Sequence, residues 1–161
     1  DSLSLLKKVY KDLKIDPKEF DPKLARSRID HAKNNYLFPD DLRQEVSHFD
    51  PFSAVFPQIY EHYQKLLLES NAMDFGDLLC NTVNLLQIET KVLALLQNQF
   101  RYIMVDEYQD TNLVQYKLIR LLSAQHENLC VVGDDDQSIY AFRAANIENI
   151  LQFRNDYPSA K

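Results

Sequence analysis

Apolar residues in the first part of the chain recur at helical spacing. Leu3, Leu6, Tyr10 and Leu13 lie three or four positions apart, as one face of a helix requires. Asp21-Pro22 reads as an N-cap followed by Pro at the first helical position, and Ala25, Ile29, Ala32 and Tyr36 form the stripe of a second helix. Asp16-Pro17 and Asp50-Pro51 carry the same start signal. After Asp50, the residues Phe56, Tyr60, Tyr63 and Leu67 run down one face. Nothing here alternates with a period of two, so residues 1–72 are expected to form a mainly helical subdomain.

Residues 73–161 begin with two more expected helices, from Asp74 to about Leu86 and from Glu89 to about Asn98. The period then changes. Tyr102-Ile103-Met104-Val105 is a short apolar run that ends in Asp106-Glu107, and Leu129-Cys130-Val131-Val132 is a second that ends in Gly133-Asp134. An amphipathic helix lies between them, with Gln115, Leu118, Ile119 and Leu122 on one face. Short apolar runs separated by a helix predict buried parallel strands in a β-α-β unit. A last helix begins at Ile147, Ile150 and Leu151 and is closed by Pro158. The expected class is α/β, a partial parallel sheet with a helical subdomain before it.

Composition narrows the function. The chain is 45% hydrophobic with nine Tyr and nine Phe, enough for a core and against wholesale disorder. Its longest apolar runs are far too short to span a bilayer, and no signal peptide opens it. Cys80 and Cys130 sit in apolar runs at no metal-ligand spacing, so both read as small buried hydrophobes in a reducing, cytoplasmic setting. His31, His48, His62 and His126 are scattered and suggest no metal site.

The net charge of −6 argues against a simple nucleic-acid-binding module, which is usually basic. That acidity is local. Asp106, Glu107, Asp110, Asp134, Asp135 and Asp136 all follow the two apolar runs. From Lys7 to Lys33 the balance reverses, with nine cations against five acids. Such a stretch is either a solvated helical face or a contact to the backbone of duplex DNA.

In an open α/β sheet, ligands bind at the carboxyl ends of the strands, where both acidic clusters fall. An Asp directly after a buried strand can hold Mg²⁺ on a nucleotide, and an adjacent Glu can orient or deprotonate water. Alternatively, Asp106-Glu107 only caps the next helix, whose N-terminus favours negative charge.

The longer pattern favours the first alternative. Val105-Asp106-Glu107-Tyr108-Gln109-Asp110-Thr111-Asn112 resembles the Walker B motif of the superfamily 1 DNA helicases of the UvrD, PcrA and Rep kind. Val132-Gly133-Asp134-Asp135-Asp136-Gln137-Ser138-Ile139-Tyr140-Ala141-Phe142-Arg143-Ala144-Ala145 resembles motif III of the same family. Met73-Asp74-Phe75-Gly76-Asp77-Leu78-Leu79 is similar to that family's return from its inserted helical subdomain to the motor core. Phe142 stands where many relatives have Trp, and Ala144 where Gly is common.

The resemblance implies a RecA-like ATPase core with a helical insertion, moving 3′ to 5′ along single-stranded DNA and acting at its junction with duplex. It implies ATP and Mg²⁺ as cofactors, with Asp106 binding Mg²⁺, Glu107 activating water and Gln137 sensing the γ-phosphate. Tyr140, Phe142 and Arg143 would contact the DNA strand. An amide can bond phosphate or water without carrying charge, and aromatic faces stack on any base.

A phosphate loop needs G-x-x-x-x-G-K-[ST], and the only glycines are Gly76 and Gly133. The chain is therefore expected to be a piece of a longer helicase, inactive alone, with the loop before Asp1 and a second motor domain after Lys161. Two other functions compete: a helicase-derived module that grips DNA or a partner without hydrolysis, and a RecB-like helicase-nuclease subunit. The intact D-E-x-Q-D speaks against the first of these, and the compact insertion against the second.

Overall fold

The computed structural model describes residues 2–44, 49–134, 153, 155–158 and 160. The chain divides into two compact units, Asp1–Leu78 and Leu79–Lys161.

The first unit is helical. Helices α1 (Ser2–Leu13), α2 (Pro22–Asn34), α3 (Pro39–Leu42) and α4 (Pro51–Glu69) follow one another. Two of the Asp-Pro pairs start helices as expected. The Asp21 carboxylate accepts the Lys23 N–H at 2.8 Å, and that of Asp50 accepts the Phe52 N–H at 3.1 Å. In each, Pro occupies a first-turn position where no N–H is needed. Asp16-Pro17 behaves differently. Asp16 accepts the Lys18 N–H at 2.8 Å and closes a single turn, but no helix follows. Pro22 forces Asp21 into extended backbone (φ −65°, ψ 122°), so a helix begun at Pro17 has no room to propagate.

The core of this unit comes from three helices. Leu6, Val9 and Tyr10 of α1 meet Ala25, Ile29 and Ala32 of α2 and Phe52, Phe56, Ile59, Tyr60, Tyr63, Leu66 and Leu67 of α4. The α4 stripe is buried as its spacing predicts. Rings at i and i+4 meet along it, with Phe52–Phe56 centroids 5.8 Å apart and Phe56–Tyr60 6.1 Å. On α1 the buried face is rotated toward Val9, leaving Leu3 and Leu13 half-buried. Tyr36 falls past the end of α2, at φ 55°.

Lys33 departs furthest from its expected role. Counted with the surface cations, it is 1% exposed. Its Nζ lies 2.6 Å from Asp74 Oδ2 and 2.8 Å from Asp77 Oδ1. Tyr63 donates its hydroxyl to Asp74 and Gln64 its amide to Asp77, at 3.1 and 2.8 Å. The two aspartates also accept each other's backbone N–H groups, at 3.1 and 3.0 Å. Gly76 is the floor of this node: a Cβ there would lie 2.6 Å from Lys33 Cδ and 2.8 Å from its Cβ. Arg28 is also engaged, 2.7 Å from Asp50, whereas Lys7, Lys8, Lys11, Lys14, Lys18 and Lys23 are exposed.

Helix α5 (Phe75–Ile88) starts at the end of the first unit. In the second unit follow α6 (Thr90–Gln99), strand β1 (Ile103–Val105), a 3₁₀ turn (Tyr108–Asp110), α7 (Leu113–Ser123) and strand β2 (Leu129–Val131). The two strands pair in parallel, with Ile103 opposite Leu129, Met104 opposite Cys130 and Val105 opposite Val131. The expected β-α-β unit is present.

Burial on both strand faces is not. Met104 is 79% exposed, and its partner Cys130 is exposed rather than buried. Successive strand side chains point to opposite faces, so Met104 and Cys130 share one face and the half-buried Ile103, Val105, Leu129 and Val131 share the other. A run of four apolar residues looks the same whether one face or both are covered. On α7, Val114 and Ser123 are buried while Gln115, Leu118, Ile119 and Leu122 are half-buried. Neither cysteine forms a disulfide. Among the described residues, no helix is long and apolar enough to cross a membrane. The expected last helix from Ile147 and the histidine at His48 lie outside the described residues.

Candidate functional site

Parallel pairing with equal register brings the carboxyl ends of β1 and β2 side by side. The ladder continues past the strands: Val132 N–H donates to Val105 C=O at 2.8 Å, and Tyr108 N–H donates to Val132 C=O at 2.9 Å. Asp106 and Glu107 therefore sit directly at the end of β1, beside the start of the second acidic cluster. Both are exposed.

The local backbone explains how Glu107 is presented. It adopts φ 50°, ψ 46°, the left-handed region that costs a residue with a side chain about 1–2 kcal/mol. Such strain persists only where the surroundings enforce it, and it concentrates at functional sites. Here the enforcement is visible. Glu107 N–H donates to Asp106 Oδ1 at 2.9 Å, and Asp110 N–H closes the 3₁₀ turn on Glu107 C=O at 2.8 Å.

The helix-cap alternative fails on this geometry. The cap of α7 is Asn112, whose side chain accepts the Gln115 N–H at 3.0 Å, while the Gln115 side chain accepts the Asn112 N–H at 3.0 Å. Glu107 makes no side-chain cap to the 3₁₀ turn it precedes. Its carboxylate instead accepts a hydrogen bond from Gln109 Nε2 at 2.7 Å.

Tyr108 and Gln109 anchor the exposed acids. Both are 1% exposed. The Tyr108 ring meets Phe153 edge-on, with centroids 5.6 Å apart. Burial, reinforced by the nearby Tyr157, Tyr116 and Asp156, pushes its hydroxyl up to about 12. It therefore stays protonated throughout the physiological range. Thr111 donates to Tyr108 C=O at 2.7 Å. The Gln109 carbonyl oxygen accepts the Asp134 N–H at 3.0 Å, so one buried amide joins the two acidic clusters. Sequence reasoning did not single out Gln109. Its signal was an amide flanked by acids in D-E-x-Q-D, where a donor is needed to face a carboxylate.

A nucleotide-borne Mg²⁺ would take one or two carboxylate oxygens from the chain. Among the described residues, no group of three or more His, Cys, Asp or Glu side chains converges on a point. Mg²⁺ is usually held by one or two carboxylates, waters and phosphate oxygens, and Asp106 offers Oδ2 for that once Oδ1 has accepted the Glu107 N–H. Gln137, Tyr140, Phe142 and Arg143, with Asp135 and Asp136, lie outside the described residues.

The described residues thus form a parallel β-α-β unit with the acidic pair Asp106-Glu107 at the carboxyl end of one strand and Asp134 just past the end of the other. The family model described as the UvrD/REP helicase N-terminal domain matches residues 1–158, and the chain belongs to that family. It is 45% identical over 161 residues to a protein named ATP-dependent DNA helicase PcrA from Staphylococcus epidermidis strain RP62A. It is 46% identical over 160 residues to the protein of the same name from Staphylococcus aureus strain Mu50. The alignments cover 100% and 99% of this chain, which spans 22% of the length of each of these relatives.

Proposed function

We propose that this chain is a segment of an ATP-dependent DNA helicase that couples ATP hydrolysis to 3′–5′ movement along single-stranded DNA and to unwinding at the duplex junction. The observation that carries the reading is that Gln109 links Glu107 to the Asp134 backbone at one end of a parallel β-α-β unit, in a chain 45% identical to a protein named ATP-dependent DNA helicase PcrA. Residues 1–72 would be the inserted helical subdomain, and residues 73–161 the later part of the first RecA-like motor domain.

Each residue then has a task. Asp106 would hold Mg²⁺, which neutralises charge on the phosphate oxygens when bound. Glu107, exposed and steadied by Gln109, orients water and takes its proton. Gln137 senses the γ-phosphate, and Tyr140, Phe142 and Arg143 grip the strand by stacking and by a phosphate contact. The 161 residues contain no phosphate loop, so the isolated chain is expected to hydrolyse no ATP.

The test is single-strand-stimulated ATP hydrolysis by the full-length protein and its Glu107→Gln variant. The amide keeps the shape but loses the basic oxygen. The variant should retain ATP binding while kcat falls by about 10²–10⁴, the usual contribution of a general base. Hydrolysis near the wild-type rate would remove Glu107 from this role.

A further inference from the structure

Gln109 is a buried side chain that touches both acidic clusters through separate atoms. Its Nε2 donates to Glu107 Oε2 at 2.7 Å, and its Oε1 accepts the Asp134 N–H at 3.0 Å. The orientation of the amide is fixed by its partners. A carboxylate can only accept, and a backbone N–H can only donate, so a flipped amide would break both bonds. At 1% exposure, water cannot replace either partner cheaply.

We propose that Gln109 is a positioning residue for hydrolysis: it holds the Glu107 carboxylate in place and ties it to the backbone that follows β2. This rests on the reading of Glu107 as the group that acts on water. The chemistry follows from the geometry. Glu107 sits on a left-handed residue at an exposed strand end, and an exposed carboxylate on a flexible stem samples several rotamers. A short bond to a buried, immobile amide selects one of them. The other end of the same amide is fixed to Asp134, the first residue of the D-D-D-Q run. A shift of the backbone after β2 is therefore passed to Glu107 through two hydrogen bonds, with no further side chain between.

The tests use the full-length protein and single-strand-stimulated hydrolysis. Gln109→Met keeps the length and removes both bonds without adding charge. It should lower kcat by about tenfold or more, as a misplaced group does, while KM for ATP stays within about twofold. The exchanged pair Glu107→Gln with Gln109→Glu restores one donor facing one acceptor and keeps an acceptor for Asp134. Because Gln109 acts through Glu107, adding Gln109→Glu to Glu107→Gln should cost little further activity.

The inference is overturned if Gln109→Met leaves kcat unchanged, or if its effect appears only in KM or only as a lowered Tm with kcat per folded molecule intact. Independent, multiplying losses in the exchanged pair would overturn it too. A wild-type protein without strand-stimulated hydrolysis would strike the proposed function itself, which separates that failure from this one.

Discussion

In the first unit, Lys33 is 1% exposed and closed in by two carboxylates, a tyrosine hydroxyl and a glutamine amide. In the second unit, Asp106 and Glu107 stand exposed at a strand end on strained backbone. Both sites combine a pair of acids with hydrogen-bonded partners from the chain. The difference lies in what is left over. Around Lys33 the charges meet one another, with the cation enclosed between the two carboxylates. At the end of β1 the Glu107 carboxylate is steadied by the buried Gln109, while both acids remain exposed. A buried cation held between two carboxylates makes a structural joint, and exposed carboxylates on a buried base make a candidate site.

The comparison breaks first at Lys33. Removing one partner of a buried pair leaves an uncompensated charge, so Lys33→Met should cost about 3–5 kcal/mol. The pH dependence carries a sign. For Asp74, burial alone would raise the carboxyl, but the Lys33 hydrogen bond and charge outweigh it and hold it below its usual value. Its contribution is therefore full above about pH 4, the ordinary aspartate range, and is lost as pH falls through the lowered folded value. In Lys33→Met burial is opposed only by the Tyr63 hydroxyl and the Asp77 N–H, the carboxyl rises, and stability should instead fall as pH increases toward neutrality. Urea unfolding at pH 4.5 and pH 7 reads this directly. The gap between variant and wild type should be larger at pH 7, and an equal gap at both would show that Lys33 does not set the charge state of the node.

Gly76 tests the same joint without touching a charge. A methyl group there would lie under 3 Å from two Lys33 carbons, and Lys33 Cβ cannot swing away as a chain end could. Gly76→Ala should destabilise by about 1–3 kcal/mol, the usual cost of overpacking, without altering the pH profile. A neutral or stabilising result, which the lower backbone entropy of Ala would favour, would mean that Lys33 has slack the packing does not suggest.

Much of this was legible in the residue pattern, and the failures share a cause. The α4 stripe, the caps at Asp21 and Asp50 and the parallel β-α-β unit all follow from local spacing and turn chemistry. Lys33 was misread because its partners lie 41 and 44 positions away, a separation no periodicity encodes. Cys130 and Met104 were misread because an apolar run records composition and not which face is covered. At the candidate site, the adjacent acids were visible as a motif. The bridging by Gln109 depends on β2 lying alongside, which only the folded chain supplies.

The smallest effect concerns the two thiols, and it isolates the exposed strand face. Cys80 is 2% exposed on α5, whereas Cys130 lies opposite Met104 on the open face of the sheet. In this chain under native conditions, an aromatic disulfide reagent should titrate Cys130 rapidly. Cys80 should react only through opening of the fold, at a rate that rises with urea as unfolding does. Cys130→Ser should leave stability within about 0.5 kcal/mol, as exposed substitutions do, and remove the fast phase entirely. If both thiols reacted together, α5 would be less well packed than its buried Cys80, Val83 and Leu86 indicate. If neither reacted quickly, the face carrying Met104 and Cys130 would be covered in solution, and the contrast between a closed helical unit and an open sheet would fail at its simplest point.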